Sequence, residues 1–168
     1  LAIANKYGRI PAGTATLTVA GASYSKAVAQ NAAAFTTAKL APGSYPFTIS
    51  YTGDDQIVGF TKTGTLTVAK AKAVAAGSLV KAPTSKKAGS YRAVVTAPAG
   101  LAKATGKVTV TLTKGSAKKV VVGTLSNGAA TVALPKLPKG TWKVTTAFAG
   151  DAHYLAATSV GKSIVVKK

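Results

Sequence analysis

Cysteine and methionine are both absent from this chain of 168 residues, and acidic residues are nearly so: Asp54, Asp55 and Asp151 are the only three. Without cysteine there is no disulfide, no thiol nucleophile and no Cys-ligated metal. Export stays open, because many surface proteins do without disulfides. Without methionine, Leu1 is not a translational start, and the chain is expected to be a processed product or a fragment. No apolar run approaches a membrane span, and there is no signal-peptide core. Three scattered carboxylates leave little for acid–base chemistry. Glycoside or aspartyl chemistry needs a carboxylate pair in a cleft, and the chain after residue 72 carries Asp151 alone.

Against the three acids stand 22 Lys and Arg, for a net charge of +19. The split is uneven. Residues 1–72 hold seven bases and two acids, net +5, and residues 73–168 hold fifteen bases and one acid, net +14. Such a field favours anionic partners and opposes self-association, but it does not specify a fold.

The fold signal is an internal repeat, which must be settled before any other reading. Leu137–Asp151 reads LPKGTWKVTTAFAGD, and Leu40–Asp54, 97 residues earlier, reads LAPGSYPFTISYTGD. Five of the fifteen positions are identical, and Tyr45 with Trp142, Phe47 with Val144 and Tyr51 with Phe148 match in kind. In each copy a Gly turn opens a strand and Gly-Asp closes it. Between them large residues recur at every second position: Tyr45, Phe47, Ile49 and Tyr51 in one copy, Trp142, Val144 and Phe148 in the other, with Thr146 breaking the run. Period two places them on one face of a strand, toward a core.

Two β-domains follow, at 1–72 and 73–168, joined by Lys70–Ala73 as a short linker. In the first, the pattern predicts strands at 14–20, at 26–30 and 33–38 around Asn31, at the repeated stretch, and at 61–69. Residues 1–4 align with Val94–Ala97, so the first domain begins inside its second strand. In the second domain, strands are expected at 74–82, 90–97, 107–113, 118–125, 129–134, the repeated stretch and 158–166. Asn127-Gly128 is a hairpin turn, since both residues accept positive φ. Many short strands with turn signals every eight to twelve residues describe a β-sandwich.

The run SNGAATVALPKLPKGTWKVTTAFAGDAHYLAATSVGKSIVVKK resembles the C-terminal half of a bacterial Ig-like domain. The shared pattern is an Asn-Gly turn, an alternating strand, Leu-Pro, Gly-Thr, an aromatic strand, Gly-Asp and Tyr. The second domain carries it throughout. The first carries it from about residue 13 onward, with Gln56 and Ile57 where the second has His153 and Tyr154. The resemblance implies an all-β chain of two tandem immunoglobulin-like β-sandwiches, the first lacking its N-terminal strand or strands. It also implies an extracellular or cell-surface bacterial setting, and a stalk, spacer or anchor attached to other domains of a parent protein.

Candidate sites are few. Asp151, His153 and Tyr154 share one loop, but a triad needs a nucleophile and an oxyanion hole around the histidine. The first copy has Gln56 in the histidine's place, so Asp151 is expected to cap its own turn and Tyr154 to pack over the corner. Asp54 and Asp55 are too few oxygens for calcium. No catalytic residue, metal or cofactor is expected, and the chain is not read as an enzyme. The aromatics belong to the core, which leaves Tyr7 and Tyr24 for exposed contacts and argues against sequence-specific nucleic-acid binding. The lysines Lys86, Lys87, Lys107, Lys118, Lys119, Lys143, Lys162, Lys167 and Lys168 are the candidate contacts for an anionic cell-wall polymer or polysaccharide, with Lys107, Lys143 and Lys162 at outward strand positions. Against this stands plain solvation, since Lys on exposed strands blocks edge pairing. Because the first domain has no counterpart to Val74–Ala93, its apolar core should be covered by upstream residues or by self-association with another subunit's strand, which would make the chain a subunit of an extracellular filament completed by strand exchange.

Overall fold

The computed structural model describes residues 1–4 and 10–167. Among them there is no helix, and twelve strands form three antiparallel sheets. The chain divides into two compact units, Leu1–Ala69 and Lys70–Lys168.

The first unit is one sheet of β1 (Thr14–Val19), β2 (Ala22–Ala27), β3 (Gly43–Gly53) and β4 (Val58–Val68), in the order β2-β1-β3-β4. Ala20 and Gly21, both at positive φ, make the two-residue turn from β1 to β2, as a tight hairpin requires. The second strand is therefore 22–27, not 26–30, and residues 33–38 are not a strand. Asn31 is instead half of a further turn: Gln30 and Asn31 take positive φ and Ala29 bridges Ala32.

Alternation sorts this sheet's faces. Outward lie Thr14, Thr16 and Thr18 of β1 and Thr61, Thr63, Thr65 and Thr67 of β4, with Thr16 and Thr18 bonded to Ser25 and Ser23 of β2 at 2.8 and 2.9 Å. The other face carries Ala15, Leu17, Val19, Tyr45, Phe47, Ile49, Tyr51 and Phe60. Only part of it is covered. Ala15 and Tyr51 join Ile3, Val28 and Ala33 in a small core, while Tyr45, Phe47 and Ile49 stay half-buried and Leu66 is exposed. Leu1–Ala4 and the strand pair β3–β4 flank an open groove of about 440 Å³ lined by Phe47, Ile49, Phe60 and Lys62.

The second unit has two sheets. β5 (Val74–Lys81), β6 (Gly89–Thr96) and β9 (Ala129–Leu134) form one. β7 (Lys107–Lys114), β8 (Ala117–Thr124), β10 (Gly140–Phe148), β11 (Ala157–Thr158) and β12 (Lys162–Val166) form the other. The two enclose a core in which Ala93, Val108, Val110, Leu112 and Val144 are fully buried and Trp142 and Tyr91 nearly so. The expected strand at 158–166 is split into β11 and β12, which pair with the two ends of β10. Thr146 does not leave the core face: it is fully buried and its hydroxyl lies 3.4 Å from that of Tyr91.

The two units repeat one plan. The order β2-β1-β3-β4 recurs as β8-β7-β10 with β11 and β12 at the edge. The ring nitrogen of Trp142 donates to the carbonyl of Pro138 at 3.0 Å, and the hydroxyl of Tyr45 donates to that of Ala41 at 2.8 Å, each four residues back. Asn127 and Gly128 repeat the positive-φ turn of Gln30 and Asn31. Val95 N–H donates to Gly128 carbonyl as Ile3 N–H donates to Asn31 carbonyl, both at 2.8 Å. That equivalence shifts residues 1–4 by one from the sequence alignment: Ile3, not Ala2, stands where Val95 stands. The loop up to Gly13 is one residue shorter than the loop up to Gly106. One residue of slip exchanges faces, and Ile3 is accordingly buried while Ala2 is exposed.

Candidate functional site

Asp151, His153 and Tyr154 do meet in one loop, and the geometry is that of a clasp. Asp151 Oδ1 accepts the backbone N–H groups of His153 and Tyr154, both at 2.8 Å, and Oδ2 accepts Thr105 N–H at 2.9 Å. The first half closes the loop on itself and the second ties it to the segment entering β7. Tyr154 is buried and its hydroxyl donates to the carbonyl of Ala102. The exposed His153 ring meets Tyr154 edge-on, with centroids 6.4 Å apart. Burial pushes the Asp151 carboxyl up, but the N–H groups of Thr105, His153 and Tyr154 together outweigh it and leave it below its ordinary value. A general acid needs the opposite shift.

Asp54 repeats the three backbone bonds of the clasp. Oδ1 accepts Gln56 and Ile57 N–H at 2.9 and 2.7 Å, and Oδ2 accepts Ala12 N–H at 2.7 Å. Tyr51 hydroxyl donates to Oδ2 at 2.9 Å and also reaches the Ala12 carbonyl. The Ala12 N–H, then those of Gln56 and Ile57 with the Tyr51 hydroxyl, hold this carboxyl down at about 2. Those partners are all donors, a shell suited to a carboxylate and not to a cation. Among the described residues no three His, Asp or Glu groups gather where a metal could sit.

The candidate lysines separate into three groups. Lys86, Lys87, Lys118, Lys119 and Lys167 converge on one end of the second unit. Thr84 bridges Lys167, its carbonyl accepts Leu137 N–H at 3.1 Å, and its hydroxyl accepts Lys86 and Lys87 N–H. The β5–β6 loop, the end of β12 and the β9–β10 loop therefore lie together. The β7–β8 turn joins them, since the Lys114 ammonium donates to the Lys139 carbonyl. Lys143, in register with Thr113 and through it with Lys118, stands beside this end on the outer face. Lys107 lies at the opposite end, paired with Thr124 at the start of β7. Lys162 corrects the sequence reading: it is not outward, but shares the face of Ile164 and Val166, and its ammonium donates to the Gly77 carbonyl at 3.2 Å. Period two from the two buried residues already dictates that side. Lys168 and Tyr7 lie outside the described residues. Tyr24 is half-buried on the apolar face of the first sheet and its hydroxyl accepts Ala38 N–H at 3.2 Å.

Sequence reasoning missed Lys114, Lys136 and Lys139, all exposed at the same basic end. Their signal was available: each adjoins a Gly or Pro turn, in KGS and in LPKLPKG. Alternate turns of an antiparallel sheet fall at the same end, so lysines in alternate turns collect there.

The chain matches no protein-family model and no curated protein. Among the described residues no helix is long and apolar enough to cross a membrane.

Proposed function

We propose that this chain is a non-catalytic pair of immunoglobulin-like β-modules that spaces, presents or anchors other parts of a larger bacterial surface or secreted protein. The observation that carries the reading is the duplicated clasp. The carboxylates of Asp54 and Asp151, two of only three acids in the chain, accept backbone N–H groups in matching loops. Acid groups committed to architecture, on a sheet plan used twice, are what a repeat built for spacing needs. The surrounding charge suits such a module too, because a strongly cationic chain resists association with its own copies.

A spacer should yield in whole modules. Pulling the 168-residue chain by its ends should give two discrete unfolding steps. The longer should release the residues of the second unit and be the harder to break, since that unit has two sheets on one core. A single step, or a gradual yielding without steps, would refute two separately folded modules. A hydrolytic activity of the chain that is lost with His153→Gln, the residue the other copy carries and one without acid–base capacity, would refute the non-catalytic reading itself.

A further inference from the structure

The end of the second unit that holds the β5–β6 loop, the β7–β8 turn, the β9–β10 loop and the end of β12 is a one-sign electrostatic surface. Lys86 and Lys87 come from the first loop, Lys114 and Lys118 flank the hairpin turn, and Lys136 and Lys139 come from the third. All six are exposed, and the cross-links through Thr84 and Lys114 hold their segments together. The only acidic side chain of this unit, Asp151, sits at the opposite end, where it binds Thr105 ahead of β7. Lysine is thus concentrated at one end of the sandwich and not merely in excess.

We propose that this basic end binds a linear, base-free polyanion of the phosphodiester class, laid across the three loops. Every charge in the cluster is lysine, which meets phosphate as a compact point charge without the planar fork of arginine. The loop segments APTSKKA, GS and PKLPK contain no aromatic residue, and the large aromatics Trp142, Tyr91 and Phe148 are in the core. A polymer with bases would find nothing to stack on. On so exposed a surface affinity comes from several weak contacts made together, and these favour a repeating partner. Binding releases counterions and weakens steeply with salt. The inference is independent of the spacer reading, since a module can space without adhering.

The test compares two triple variants of the whole chain with the same change in net charge. One is Lys86→Gln, Lys87→Gln, Lys136→Gln at the basic end. The other is Lys72→Gln, Arg92→Gln, Lys103→Gln, outside those loops. Binding to linear polyglycerol phosphate is measured by titration at several salt concentrations. The first variant should bind at least about tenfold more weakly and lower the slope of log affinity against log salt by about two. The second should stay close to the parent. Equal losses in both variants would overturn the proposal, because only net charge would then matter. So would no binding by the parent, a salt-independent affinity, or single-stranded DNA bound far more tightly than the base-free polymer. Unchanged unfolding temperatures in both variants show that the loss is one of binding.

Discussion

Replacing Trp142 with Ala should cost the second unit about 3–5 kcal/mol, the usual range for deleting a large aromatic from a closed core. Trp142 is only 1% exposed and packs with Val144, Leu112 and the facing sheet. The matching change in the first unit, Tyr45→Ala, should cost about half as much or less, since burial energy scales with the area removed from water and Tyr45 is only half-buried. Chemical denaturation followed by circular dichroism reads both. Equal losses would mean that the open face of the first sheet is in fact closed.

The second large effect concerns the glycine of the repeated Gly-Asp. Gly150 has φ +86° and Gly53 has φ +84°, a region closed to branched side chains. A Cβ on Gly150 would stand 2.8 Å from the Tyr154 carbonyl oxygen, and one on Gly53 would stand 2.6 Å from the Gly59 nitrogen. Both obstacles are backbone and cannot turn aside. Gly150→Val should therefore cost about 3 kcal/mol through strain and collision together. Gly115 offers the control. It also has positive φ, but nothing lies within 4 Å of its would-be Cβ, and Gly115→Asn should cost less than about 1 kcal/mol because Asn tolerates that conformation. If the two substitutions cost the same, the clasp loop is not the tight structure described.

What could be read from the sequence was whatever is local and periodic. The all-β class, the strand containing Trp142, the Asn127-Gly128 turn and the capping by Asp151 each depend on a few neighbouring residues. The β1–β2 hairpin was misplaced because its turn is Ala20-Gly21. Alanine at positive φ is uncommon and sends no signal. The one-residue shift of Leu1–Ala4 followed from a difference in loop length, which an alignment on Gly13 hides. The half-burial of Phe47 and Ile49 was foreseeable from the missing counterpart to Val74–Ala93, yet alternation alone assigned them to a core. The basic end was legible only as lysines beside alternate turns, in KGS and LPKLPKG. Its lysines are distant in sequence, and only the register of the sheets and the bonds made by Thr84 bring their loops together.

The repeated Gly-Asp is a structural clasp, and its acid groups serve the fold. Direct observation of the Asp54 and Asp151 carboxyl carbons by NMR during acid titration tests it, with the backbone N–H groups of Ala12, Gln56, Ile57, Thr105, His153 and Tyr154 followed in the same samples. Asp54 should titrate near 2 and Asp151 below its ordinary value of 3.8. Because both are depressed in the folded chain, their contribution to stability should be complete above about pH 4 and fall away as the pH drops toward 2. The six N–H signals should move with the carboxyl each one serves. A carboxyl that titrates at 3.8 or above, with its N–H partners indifferent to the change, would contradict the clasp and return these residues to the list of groups free for chemistry.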